Sequence, residues 1–150
     1  MSGLPGSGKS TYIQNNLPNA RVCSADNYFM RSGEYIFDAT KLGEAHARCM
    51  FEFIESCRGL HHNLPLIFDN LVVDNTNTTN QELAPYMATA AAYGLAIEIV
   101  TLDVPVDVAF ARQTHGVPRK SMEHFARNLQ YRKLPGYWKN TTITSGYETP

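Results

Sequence analysis

Apolar positions along the chain fall into short runs separated by stretches of helical periodicity, which predicts strands alternating with helices. The clearest strand covers 95–102, where apolar and β-branched residues crowd together, and a shorter one covers 21–24. Two neighbouring runs, 64–70 and 71–75, each end in Asp-Asn. The second is the better core strand, because Pro65 removes a ladder donor from the first. It also leads into a capping box, Thr79 with Glu82, that opens a helix over 80–93 ended by Gly94. A longer helix follows Asp38 as N-cap and runs to about 58, with Gly59 as its stop. Leu42, Ala45, Cys49, Phe53 and Cys57 recur along it at helical spacing and define its core face, with His46 packing or capping beside it. Helices are further expected over 9–16, 106–113 and 119–131, the last two divided by His115-Gly116-Val117-Pro118. The segment 30–37, with Ser32-Gly33, reads as a loop, and 132–150 reads as a tail.

Strands alternating with helices imply an α/β fold with a parallel sheet covered on both faces. At 150 residues the chain is expected to be a single domain, with its core at about 3–131 and the tail beyond. No apolar run approaches the roughly 18 residues of a membrane-spanning helix, so no membrane partner is expected. Nor does the opening look like a secretory leader. The three cysteines, Cys23, Cys49 and Cys57, lack metal-ligand spacing. They read as small core hydrophobes in a reduced, cytoplasmic setting. The net charge of −1 conceals an asymmetry. Residues 1–111 carry six Lys/Arg against twelve Asp/Glu, whereas 112–150 carry seven against two. A basic C-terminal part suits a phosphate-bearing ligand, and equally a solvated helix face.

The chemistry begins with Gly3-Leu4-Pro5-Gly6-Ser7-Gly8-Lys9-Ser10-Thr11, which meets the phosphate-loop pattern G-x-x-x-x-G-K-[ST] at every fixed position. Glycines let the backbone curl until several N–H groups converge on phosphate oxygens, and the helix starting near Lys9 adds its positive dipole end. Gly3, Pro5, Gly6, Ser7, Gly8, Lys9, Ser10 and Thr11 are thus the expected nucleotide-binding residues. Lys9 reaches the β- and γ-phosphates, and the Ser10 hydroxyl takes a place on Mg²⁺. Only Met1 and Ser2 precede Gly3. The strand that normally leads into such a loop is therefore expected to be missing, leaving the sheet without its middle strand and weakened.

Ligands in parallel α/β sheets sit at the carboxyl ends of strands, where Asp26 and Asp74 fall. Asp26, on a loop facing the crevice, suits the base that accepts a proton from an attacking hydroxyl. Asp74, directly at a strand end, suits orientation of Mg²⁺. Arg112, late in the helix before His115, can close over a triphosphate and neutralise charge, with Arg119 and Lys120 as weaker candidates. No role is expected for His61 or His62.

Taken in order, the loop at 3–11, Ser24-Ala25-Asp26-Asn27-Tyr28, Val73-Asp74-Asn75-Thr76-Asn77, Asp103-Val104-Pro105, Arg112 and His115-Gly116-Val117-Pro118 resemble the kinase domain of polynucleotide 5′-hydroxyl kinases. They resemble still more the AAA-labelled ATP-binding proteins of the same architecture. The likeness covers about 3–131. It implies a P-loop NTPase three-layer fold with a helical lid, Lys9 and Ser10 on ATP and Mg²⁺, Asp26 as general base, Asp74 as strand-end acid and Arg112 as lid arginine. The family's nucleic-acid-binding arginine, three residues past the base, is Phe29 here, which leaves the acceptor side open. Tyr28 and Phe29 suit either base stacking or core packing. The implied activity is transfer of the ATP γ-phosphate to a hydroxyl, with a polynucleotide or nucleoside-type 5′-hydroxyl first among acceptors. An ATP-hydrolysing switch module and a small-molecule kinase are the alternatives.

Overall fold

The computed structural model describes residues 1–62, 65 and 67–144. The run 64–70 lies partly outside them, as does the Thr-rich end of the expected tail, at 145–150. The first half comprises β1 (Ser2–Gly3), α1 (Lys9–Asn16), β2 (Ala20–Cys23), β3 (Met30–Arg31), β4 (Glu34–Tyr35) and α2 (Leu42–His61). The second comprises β5 (Asn70–Val73), α3 (Asn80–Ala92), β6 (Ile99–Asp103), α4 (Val106–Arg112), α5 (Arg119–Tyr131) and β7 (Asn140–Thr144).

Five of these strands run parallel. β2 pairs with β5, Ala20 opposite Asn70 through Cys23 opposite Val73. β6 is flanked by β1, with Ser2 opposite Thr101, and by β7, with Ile99 opposite Asn140. The two ladders meet at β1, where the Met1 amine donates to the Val73 carbonyl at 2.7 Å and the Gly3 N–H to the Thr76 carbonyl at 2.9 Å. The strand order is therefore β2-β5-β1-β6-β7. The middle position, expected to be vacant, is held by two buried residues.

So short a strand is held largely by side chains. The Ser2 hydroxyl donates to the Asn77 carbonyl at 2.9 Å, and the Asn77 amide donates to the Met1 carbonyl at 2.9 Å. Arg132 then donates to Ser2 Oγ at 2.8 Å, to the Asn77 carbonyl at 2.6 Å and to Thr101 Oγ1 at 2.9 Å. One guanidinium thus joins β1, β6 and the loop after β5. Its fork of fixed donors suits three acceptors in one place. Burial pushes its pKa below the usual arginine value.

Val72 and Val73 point to opposite sides of β5 and both are buried, so this strand is covered on both faces. Along one cluster, Cys49, Phe53 and Cys57 of α2 and Tyr86 and Ala90 of α3 pack on Cys23 and Val73. All three cysteines are core residues, with the Cys23 thiol pushed up to about 12 and that of Cys57 to about 11 by burial. In a second cluster Leu4, at the end of β1, packs on Ala109 of α4 and Met122 of α5.

Four elements differ from expectation. The strand expected over 95–102 begins only at Ile99, where β7 supplies a partner. Leu95 and Ile97 instead pack against the α2–α3 cluster without ladder bonds. The expected tail carries β7, the edge strand of the sheet, together with Arg132. The loop at 30–37 contains the hairpin β3–β4, turned by Ser32 (φ 51°) and Gly33 (φ 88°), a geometry matched to strand twist. α2 passes through Gly59, which is buried inside the helix, and ends at His61. Asp38 caps a 3₁₀ turn ahead of α2 by accepting from the Thr40 N–H at 2.9 Å, and the Thr79–Glu82 capping box forms as expected.

Replacing Arg132 by Ala is expected to lower unfolding stability by ~2–4 kcal/mol, since three acceptors lose a charged donor. Arg132→Lys should recover less than half, because an ammonium lacks the fork. Urea unfolding of the two variants checks this; equal stability of the Arg132→Ala and parent proteins would mean that the guanidinium does not hold β1.

Candidate nucleotide-binding site

β1 delivers the chain into the loop at 3–8. Gly6 (φ 76°) and Gly8 (φ 92°) lie in the left-handed region, which lets the loop double back before α1 begins at Lys9. Among the described residues no side chain caps the start of α1, so its first N–H groups remain available to an anion. At Gly6 a Cβ would lie 2.2 Å from the Ala109 carbonyl oxygen and 2.7 Å from the Gln113 nitrogen. The loop is therefore pressed against the end of α4. Ser7 is buried, and its hydroxyl has no hydrogen-bond partner among the described residues.

Lys9 folds over the loop, its ammonium donating to the carbonyls of Gly3 at 3.1 Å and Leu4 at 2.9 Å. Burial depresses its pKa, while Asp74 and Asp26 pull the other way. The Ser10 hydroxyl donates to Asp74 Oδ2 at 2.9 Å. The first turn of α1 and the end of β5 are 64 residues apart in sequence and meet at this bond.

Asp26 lies in a 3₁₀ turn, Ala25–Phe29, directly after β2. The turn is fixed by Ser24, whose hydroxyl accepts from the Asp26 N–H at 3.3 Å and donates to the Asp74 carbonyl at 2.7 Å. Asn75 Oδ1 accepts from the Ala25 N–H at 2.9 Å. The Asp26 carboxylate is exposed; Oδ1 accepts from the Tyr35 hydroxyl at 2.9 Å, and Oδ2 lies 4.0 Å from His115 Nε2. Burial and the Asp26 carboxylate both push the Tyr35 phenol well above its usual range, so it stays a donor.

Pro5, Gly6, Gly8, Lys9, Ser10, Thr11, Asp26, Asp74 and Arg112 all line one cavity of about 730 Å³. Gly3 and Ser7 do not line it and are buried. The sequence did not mark Tyr35, Phe37 or His115 as part of this cavity, although all three line it. The signal for Tyr35 was Ser32-Gly33, a two-residue hairpin turn that carries β4 back towards Asp26. His46, expected to pack or cap, is exposed and lines the cavity. Phe29 is 2% exposed in a cluster with Ala25 and Ala45, and the Tyr28 hydroxyl donates to Glu44 at 2.6 Å. Both therefore follow the packing alternative. Arg119 is tied to Asp107 and to Glu123 and lies over the Phe110 ring, so it joins α4 to α5. The C-terminal basic excess is thus partly structural, through Arg119, Arg132 and the Lys139–Glu98 pair at 2.9 Å.

The donor set fits a nucleotide triphosphate with a hard divalent cation. Backbone N–H groups and an ammonium face one end of the cavity, and a hydroxyl and a carboxylate, both oxygen ligands, adjoin them. A glycine loop at the end of a central strand, a lysine laid across it and a helix-start serine on a strand-end aspartate together define a P-loop nucleotide-binding domain. A family model described as an AAA domain matches residues 1–132, and the chain belongs to that family. It is also similar to NEDD4-binding protein 2 of Homo sapiens, at 30% identity over 139 residues. That match covers 85% of this chain and 7% of the human protein, so the chain spans a small part of its relative's length. Among the described residues no helix is long and apolar enough to cross a membrane.

Gly6→Ala combines a left-handed φ with a clash against backbone. It is expected to weaken binding of a fluorescent ATP analogue at least ~10-fold and to destabilise the fold by more than ~1 kcal/mol. Fluorescence titration and urea unfolding read the two effects, and parent-like values in both would mean that the loop is not clamped to α4.

Proposed function

We propose that this domain is an ATP-dependent phosphotransferase that moves the γ-phosphoryl group of ATP to a hydroxyl acceptor, with a polynucleotide or nucleoside-type 5′-hydroxyl as that acceptor. The observation that carries this reading is Asp26, an exposed carboxylate in the same cavity as Lys9, Ser10 and Arg112. Slow hydrolysis needs only an oriented water, whereas transfer to an alcohol needs a carboxylate open to a second ligand. At about 730 Å³ the cavity lies in the upper part of the ~300–1,000 Å³ common for ligand sites, which leaves space for an acceptor.

In this reading the N–H groups of the loop and of the first turn of α1 hold the phosphate chain, and Lys9 leaves its two carbonyl partners for the β- and γ-oxygens. Ser10 and Asp74 would hold Mg²⁺, which would supply charge neutralisation at those oxygens. Asp26 Oδ2 accepts the proton of the acceptor hydroxyl. The acceptor oxygen bonds to the γ-phosphorus as the bond from that phosphorus to the β,γ-bridging oxygen breaks, and the electron pair departs with ADP. The proton passes from Asp26 to solvent. Arg112 offsets the charge on the transferring group, a contribution of order 10³–10⁵ where such arginines have been measured.

The decisive experiment offers γ-labelled ATP to 5′-hydroxyl oligonucleotides, nucleosides and small alcohols. Label on an acceptor supports the proposal; labelled free phosphate alone would move the reading to an ATPase module. Lys9→Ala is expected to reduce transfer by at least ~10², the scale of losing one strong oxyanion-type donor. Asp26→Asn should keep ATP binding, read by titration, while transfer is lost. Loss of both together would make Asp26 a structural residue.

A further inference from the structure

Asp26 is approached from two further elements. Tyr35 comes from β4, at the end of the hairpin, and donates its hydroxyl to Oδ1 at 2.9 Å. His115 comes from the loop between α4 and α5. Its ring centroid lies 4.4 Å from that of Tyr35, at 59° between the planes, and its Nε2 lies 4.0 Å from Asp26 Oδ2. The Asp26 and His115 side chains are 54% and 38% exposed, so burial alone does not account for their approach. The loop that carries His115 is itself braced. Gln113 Oε1 accepts from the Val117 N–H at 3.0 Å, its amide reaches back to the Val117 carbonyl at 3.5 Å, and Gly116 takes a left-handed turn at φ 67°. This small ring of residues presents the imidazole towards the hairpin.

We propose that Tyr35 and His115 are positioning residues for Asp26, and that their ring contact latches the α4–α5 loop across the acceptor end of the cavity. The inference rests on the reading of Asp26 as the base. Tyr35 occupies one carboxylate oxygen as a donor, which leaves Oδ2 as the oxygen that meets the acceptor hydroxyl. His115 borders Oδ2 at 4.0 Å without bonding to it, and meets Tyr35 by ring contact. His115 stands three residues beyond Arg112, so the contact ties the loop just past the arginine-bearing end of α4 to the carboxylate. Phosphoryl transfer depends on placing these two groups on either side of one reacting centre, and displacement by an ångström can cost up to about 10²-fold. The ATP-facing groups Lys9 and Ser10 have no part in the latch, so ATP affinity should not depend on it.

The test compares parent, His115→Ala, His115→Phe, Tyr35→Phe and Asp26→Asn proteins with a 5′-hydroxyl oligonucleotide and ATP. His115→Ala is expected to lower kcat about 10-fold or more with KM for ATP within about twofold, and His115→Phe, which keeps a ring, should restore part of the loss. Tyr35→Phe, which keeps the ring but frees Oδ1, should lower kcat as well. In parallel, amide exchange over 113–118 in the free protein should quicken in His115→Ala and in Tyr35→Ala, and no further in the double variant. Parent-like kcat in His115→Ala together with lost transfer in Asp26→Asn would overturn the latch while leaving Asp26 as the base. Full transfer in Asp26→Asn would instead overturn the base reading on which the proposed function rests. Unchanged exchange in both single variants, or additive changes in the double, would overturn the latch whatever the activities.

Discussion

The structure depends on how a central strand of two residues is kept in place. A strand of ordinary length would be held by a ladder on both edges, but β1 has one short ladder with β6 and a few bonds to the end of β5. Arg132 supplies what the backbone does not, by spanning Ser2, Asn77 and Thr101. The phosphate loop leaves directly from Gly3, so the placement of Lys9 and Ser10 follows from this side-chain junction. A residue from the second half of the chain thereby supports the chemistry at its start. The cost is a half-buried cation, offset by hydrogen bonds to three neutral acceptors instead of to a carboxylate.

Charge is divided inside the cavity. Lys9 and Arg112 bring positive charge to its lining, and Asp26 and Asp74 bring negative charge. The two carboxylates are not isolated from each other. Ser24 bonds to the Asp26 N–H and to the Asp74 carbonyl, so the turn after β2 and the end of β5 form one rigid rim. Parallel pairing of β2 with β5 in register sets that rim, since Cys23 and Val73 are opposite and each acidic residue follows shortly after. The buried thiols beneath contribute packing volume, and Cys49 Sγ accepts from the Tyr86 hydroxyl at 3.4 Å.

Much of this was legible in the sequence, for physical reasons that differ from place to place. The phosphate loop is local, its glycines and lysine acting within nine consecutive residues, so a motif suffices to find it. The helix start at Thr79 and the 3₁₀ turn capped by Asp38 are local too, because capping is a bond between neighbours. The features that sequence does not display are non-local. The segment 95–98 has the alternation of a strand, but a strand also needs a partner edge, and among the described residues the ladder starts only at Ile99. The role of β7 depends on the same pairing seen from the other side, and Arg132 reads as one more cation in a basic region until its three acceptors are known. Tyr35 and His115 lie 80 residues apart and meet only because the hairpin and the α4–α5 loop fold over the same strand ends.

The close approach of Gly6 to the last turn of α4 has a kinematic consequence. With no room for even a methyl group between the loop and the Ala109 carbonyl, the two cannot slide past one another. The loop and α4 therefore form a single body, and the backbone of Arg112 rides on it. The arginine-bearing end of the helix is thereby kept in register with the phosphate loop, through backbone contact and not through a side chain.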